Sequence, residues 1–142
     1  MSFKKVPPSV REVVAARANY LCEYCRCPEA FSTQSFTIEH IKPRQAGGEN
    51  TLENLAWACS GCNAFKHIKT RGIDPQTEQE VTLFHPRQDR WQDHFTWSDD
   101  LTRVVGKTPC GRATLNTLNL NRQGIVNLRR LLVMDNRHPP VD

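Results

Sequence analysis

Cys22-Glu23-Tyr24-Cys25 and Cys59-Ser60-Gly61-Cys62 flank 33 intervening residues, which include Glu39-His40-Ile41-Lys42-Pro43, and Asn63 follows directly behind the last cysteine. Each C-x2-C knuckle can place two thiolates on one tetrahedral metal. Two knuckles fill all four positions, so the spacing predicts a structural zinc site at Cys22, Cys25, Cys59 and Cys62. The spacer exceeds the roughly 15–20 residues of a compact finger and must be a structured insertion whose two ends the metal ties together. Zinc bound in this way supplies folding free energy on the order of 10–16 kcal/mol. Thiolate ligands select zinc over hard, oxygen-seeking cations, and a filled tetrahedron leaves no place for substrate. Cys27 is less typically spaced from Cys22 than Cys25 is, and Cys27 and Cys110 are read as free thiols. A thiol redox protein is the competing reading; it expects reactive pairs and no zinc.

Within the insertion, Ser35 to Ile41 alternates polar and apolar residues, as a half-buried strand does, and Pro43 should end it. Gln45 to Asn50, with Gly47-Gly48, reads as a loop. Leu55-Ala56-Trp57-Ala58 reads as a second strand, and Ser60 as the cap of a helix through Asn63, Phe65, His67 and Ile68. On that helix Asn63 and His67 stand at i and i+4 and share a face. Together with the Glu39 carboxylate they make an open, mixed-donor site for a divalent cation. A regular strand would point Glu39 and His40 to opposite sides, so both reach one centre only where the strand ends or is distorted.

At this point the residues resemble the HNH endonucleases of the ββα-metal fold. The resemblance rests on Cys22-x2-Cys25, Glu39-His40-Ile41-x-Pro43, Gly47-Gly48, Asn54-Leu55 and Cys59-x2-Cys62-Asn63-x2-Lys66, and spans about residues 22 to 71. It implies an α+β chain with a ββα core, His40 as general base, Glu39 and Asn63 as metal ligands, and Asn54 holding the loop and strand that orient the base. The nuclease domains of DNase colicins look similar and place a further metal-binding histidine where His67 stands; many zinc-knuckle members have glycine there. The implied activity is hydrolysis of phosphodiester bonds in nucleic acid, expected to be DNA, leaving a 5′-phosphate. The implied catalytic cofactor is Mg2+ or another divalent cation such as Mn2+ or Ni2+, beside the structural zinc. The rival function is a zinc-stabilised module that binds nucleic acid or protein without cutting.

Outside this core, Ser9 and Glu12 have the form of a capping box, predicting a helix from Ser9 to Asn19. Arg71 to Thr77 reads as a connector. Phe95 to Ser98 and Leu101 to Val105 read as a hairpin, followed by helices opening at Thr108-Pro109 and at Asn121. Lys66, Lys69 and Arg71 form a basic cluster suited to phosphates. Trp57 and Phe65 are expected in the core, as are Trp91, Phe95 and Trp97 in preference to stacking on bases. His85, His94 and His138 receive no role.

The 142 residues, 38% of them hydrophobic, are read as one domain over 1–142, with the nuclease core at 22–71. The extension at 78–142 could confer specificity, dimerise or complete the core. A charged fraction of 24% leaves no run able to span a bilayer, and Met1 to Pro8 has no apolar stretch of a secretory leader, so a cytoplasmic address is expected. Six cysteines are too few for a disulfide scaffold. The net charge of +4 tolerates a polyanionic partner without requiring one.

Overall fold

A computed structural model describes residues 5–141; the residues on which the leader expectation chiefly rests, at the N-terminus, lie outside them. The chain groups into two compact units. The first runs through Thr70 and takes in His85–Asp89, and the second comprises Arg71–Phe84 and the residues from Arg90 onward. No helix among the described residues is long and apolar enough to cross a membrane.

The first unit begins with helix α1, Pro8–Arg17, which Pro7 precedes and Pro8 opens. Proline is suited to that first position because its missing N–H would be unpaired there anyway. Ser9 therefore lies inside the first turn, and the expected capping box does not form; Glu12 accepts instead from the Tyr20 hydroxyl. Asn19 and Tyr20 adopt positive φ and end the helix earlier than expected. Arg11 donates to the Phe36 carbonyl at 2.6 Å and Arg17 to that of Leu55, so α1 is fastened to the segments that enter both strands of the core.

Strands β1 (Thr37–His40) and β2 (Leu55–Ala58) pair antiparallel, with Glu39 opposite Ala56 and His40 opposite Leu55. All four β2 residues are buried, and β1 is shorter than its alternation suggested. The loop between them needs glycine, since a Cβ on Gly48 would lie 1.8 Å from the Lys42 carbonyl oxygen and Gly47 has φ +89°. Helix α2 follows over Ser60–Lys66, capped by Cys59, whose sulfur accepts from the Cys62 N–H at 3.4 Å. Ser60, the expected cap, lies in the first turn and donates to Gln34. Trp57 is buried as expected, whereas Phe65 is 40% exposed, because α2 turns Cys62 and Lys66 inward and leaves Phe65 outside. His85–Asp89 rejoins this unit through an ion pair of Arg87 with Glu23, whose other carboxylate oxygen accepts from the Trp57 N–H at 2.8 Å.

In the second unit the expected connector is a hairpin instead, with β3 (Arg71–Ile73) pairing with β4 (Glu80–Thr82). Asp74 closes it, accepting from Gln76 N–H and the Thr77 hydroxyl and gripping Arg112 through both carboxylate oxygens at 3.0 Å. A four-residue helix α3 (Trp91–His94) leads into β5 (Phe95–Trp97), which pairs with β6 (Val104–Gly106). The second strand of this hairpin starts later than expected because Asp100 ties Ser98 and Thr102 into the turn. Thr108 caps α4 (Pro109–Leu118) as expected, its hydroxyl accepting from Gly111 N–H. Helix α5 (Gln123–Met134) is preceded by Arg122, not capped by Asn121; the Asn121 amide instead bonds both backbone groups of Val104. Trp91 and Phe95 are core residues, and Trp97 packs on Trp91 and under the Arg129 guanidinium.

Candidate functional site

Cys22 and Cys25 sit on a tight turn in which Cys22 N–H donates to the Cys27 carbonyl and Arg26 N–H to that of Cys22, with Arg26 at φ +67°. Cys59 and Cys62 lie at the start of α2. The four sulfurs are buried and lie within 4.8 Å of one another, and Cys25 Sγ is 3.8 Å from Cys59 Sγ. A tetrahedron with Zn–S bonds of about 2.3 Å has sulfur–sulfur edges of about 3.8 Å, so the cluster fits a structural zinc site. Its electrostatics agree. Burial pushes the Cys22 and Cys25 thiols up, and hydrogen bonding among the knuckle sulfurs pushes Cys62 up as a donor and Cys59 down as an acceptor. Four such sulfurs become anionic together only around a cation. Cys27 lies outside the cluster, and Cys27 and Cys110 form no disulfide.

A shallow pocket opens at the end of β1, lined by Ile38, Glu39, His40, Pro43, Arg44, Gln45, Asn63, His67 and Ile68. It brings together four of the expected residues. His40, at the last position of β1, is half-buried, and its Nε2 lies 2.5 Å from Asn50 Oδ1. Asn54 pins the loop: its Oδ1 accepts from Lys42 N–H at 2.8 Å while its Nδ2 donates to the carbonyls of Lys42 and Glu49 at 3.0 and 2.9 Å. Ile41 N–H also donates to the Asn54 carbonyl at 3.0 Å. Asn63 faces the same pocket from α2.

His67 does not continue α2. Its N–H donates to the Asn63 carbonyl at 2.9 Å, but its backbone turns to φ +49°, ψ −119°. Lys69 N–H then donates to the Lys66 carbonyl at 2.8 Å, closing a turn with the backbone of a type II′ first position, where glycine is the usual residue. That explains why glycine suits this place in a zinc-knuckled ββα unit, and it means that His67 holds its imidazole at the pocket at a conformational cost.

Two expectations require correction. Glu39 borders the pocket but does not offer it a free carboxylate. The strand alternation turns this side chain inward, to 2% exposure, where one oxygen accepts from the Tyr24 hydroxyl and the other lies 2.8 Å from Lys66 Nζ. Burial raises the Glu39 carboxyl above its ordinary value against the lowering pull of the Lys66 ammonium. Nor does Lys66 offer its ammonium to phosphate, since it is buried and paired with Glu39. Lys66 is 1% exposed; Arg71, exposed on the β3–β4 hairpin, bonds Thr82 and Glu80; and Lys69 is exposed, its ammonium 3.1 Å from the Phe65 carbonyl at the end of α2.

Sequence reasoning missed Asn50, Arg44 and Tyr24. Asn50 touches the imidazole directly but has no spacing signal, since an irregular loop brings it there. Arg44 lies directly behind the matched Glu39-His40-Ile41-x-Pro43 run, and no periodicity marks it for the pocket. Tyr24, inside a knuckle, is visible only through its bond to Glu39.

An antiparallel strand pair followed by a helix, closed at one end by four cysteines and open at a histidine, defines a zinc-knuckled ββα unit. Residues 22–69, 48 of the chain's 142, match the model of the HNH endonuclease family. Comparisons with curated proteins and with solved structures give no match.

Proposed function

We propose that the chain is a metal-dependent endonuclease that hydrolyses phosphodiester bonds, with DNA as its substrate and His40 as general base. The observation that carries this reading is the hydrogen bond between His40 Nε2 and Asn50 in a pocket that Asn63 and His67 also line. With Asn50 Oδ1 as acceptor, Nε2 bears the proton and Nδ1 is left with its lone pair, the state a base requires. Imidazole is also the side chain best able to accept a proton near neutral pH. Asn54, by holding Lys42 and Glu49, sets the loop around it.

His40 takes a proton from water as the water oxygen bonds to phosphorus. The bond from phosphorus to the 3′ oxygen breaks, leaving a 5′-phosphate, and the departing oxygen gains a proton from solvent. The amide oxygen of Asn63 and the imidazole of His67 are donors suited to a borderline divalent cation such as Ni2+, and more weakly to the harder Mn2+ and Mg2+. When bound, that cation supplies neutralisation of the phosphate charge. Arg44, exposed at the pocket rim, adds positive charge for the phosphate backbone.

Plasmid nicking with added Mg2+, Mn2+ or Ni2+ tests the reading, and His40→Ala should lose cleavage by about 10²-fold or more. The pairing of Glu39 with Lys66 favours a second reading, a binding module without activity, because it takes the one carboxylate at the pocket out of service. That module would bind DNA and leave it uncut with every cation.

A further inference from the structure

Lys66 closes α2, yet its ammonium reaches back to three consecutive residues of the base-bearing strand. It donates to Glu39 Oε2 at 2.8 Å, to the Ile41 carbonyl at 2.8 Å and, at 3.4 Å, to the His40 carbonyl. An ammonium has three donor hydrogens, and these three acceptors use all of them. The other oxygen of Glu39 is held by Tyr24, which lies between Cys22 and Cys25. A continuous set of bonds therefore runs from the first cysteine knuckle, through Tyr24, Glu39 and Lys66, to the backbone on both sides of the His40–Ile41 peptide.

We infer that Lys66 and Glu39 are positioning residues for His40, fixing the end of β1 so that the imidazole stays against Asn50. The inference rests on the endonuclease reading for its consequence in catalysis, but not for its geometry. Stability alone does not account for the pair. A buried ion pair exchanged as a whole for uncharged groups of similar size is often neutral, whereas removal of one partner strands a buried charge. What an uncharged replacement cannot supply is the grip on two backbone carbonyls.

The test uses the full zinc-loaded chain carrying Lys66→Met together with Glu39→Gln, and Lys66→Met alone for comparison. In the double variant, zinc content and the exchange protection of the Glu23 and Trp57 amides should match the parent. The Ile41 and Lys42 amides, which bond to Asn54, should exchange about tenfold faster. In nicking assays kcat should fall by about 10- to 100-fold with KM within about twofold, as displacement of a base predicts. Lys66→Met alone should show both effects and also lower zinc-loaded stability.

Unchanged exchange at Ile41 and Lys42 would overturn the inference, and if kcat fell nonetheless, Glu39 would be acting directly at the pocket. Loss of protection at every amide would overturn it too, by making the pair a determinant of the whole unit's stability. If the parent chain cuts no substrate while the local exchange change appears, the positioning geometry stands and the endonuclease reading fails.

Discussion

The cysteine centre and the histidine pocket lie on the same ββα unit and are built on opposite principles. The four cysteines are buried, converge on one point and leave nothing to be supplied but a cation. The pocket is open, and it gathers the Asn63 amide, the His67 imidazole, the His40 imidazole held by Asn50, the Arg44 guanidinium and a carboxylate already paired with Lys66. The first arrangement does one thing, which is to hold the ends of the insertion together. The second leaves an imidazole and its neighbours accessible, and much of its order is borrowed from Asn50, Asn54, Tyr24 and Lys66, which do not line the pocket. On β1 the successive residues Glu39 and His40 engage different partners, Tyr24 and Lys66 for the first and Asn50 for the second.

That contrast can be broken most forcefully by removing the metal. Chelation at neutral pH, or Cys59→Ser, should abolish exchange protection at the Glu23 and Trp57 amides, because structural zinc of this kind contributes about 10 kcal/mol or more to folding. Persistence of that protection in the metal-free chain would show that the cysteines are not the closure of the unit. A sharper probe is His67→Gly. Relief of its glycine-like backbone should stabilise the protein by about 1–3 kcal/mol in a denaturant melt, while nicking activity falls, since the pocket loses its second imidazole. A variant that is both less stable and fully active would mean that His67 is neither strained nor used.

The smallest effect belongs to the second unit, which serves as the control. Arg112, with Gln76 and Thr77, holds the Asp74 carboxyl down at about 2. A carboxyl lower in the folded than in the unfolded chain stabilises the fold above its unfolded value of about 4, and that contribution disappears as pH falls toward 2. Asp74→Asn should therefore flatten the acid limb of the unfolding curve over that window without altering nicking at neutral pH. An unchanged acid limb would show that the grip of Arg112 adds no pH-dependent stability.

How much of this was legible in the sequence follows from the range of each interaction. The cysteine spacing, the alternation leading to His40, the buried Leu55–Ala58 run and the Thr108 cap are local signals, and the fold reproduces them. Ser9 was misread because Pro7 and Pro8 start the helix on their own, and Asn121 because its amide is spent on Val104 across the unit. Arg71 to Thr77 reads as a connector, yet it forms half of a hairpin whose closing residue, Asp74, is also gripped by Arg112, 38 residues on. At the pocket, the alternation itself warned that Glu39 and His40 face apart. What it could not show is that Lys66, 27 residues on, would claim the inward carboxylate, or that Asn50 would reach the outward imidazole.

The most direct test of the endonuclease reading compares nicking of supercoiled plasmid by the zinc-loaded parent chain and by His40→Ala, each with Mg2+, Mn2+ and Ni2+, with zinc content and thermal melts measured on the same preparations. The parent should nick with at least one of these cations, and His40→Ala should lose about 10²-fold or more of that activity while keeping its zinc and its melt. Equal cleavage by both proteins, or none by the parent with any of the three cations, would contradict it.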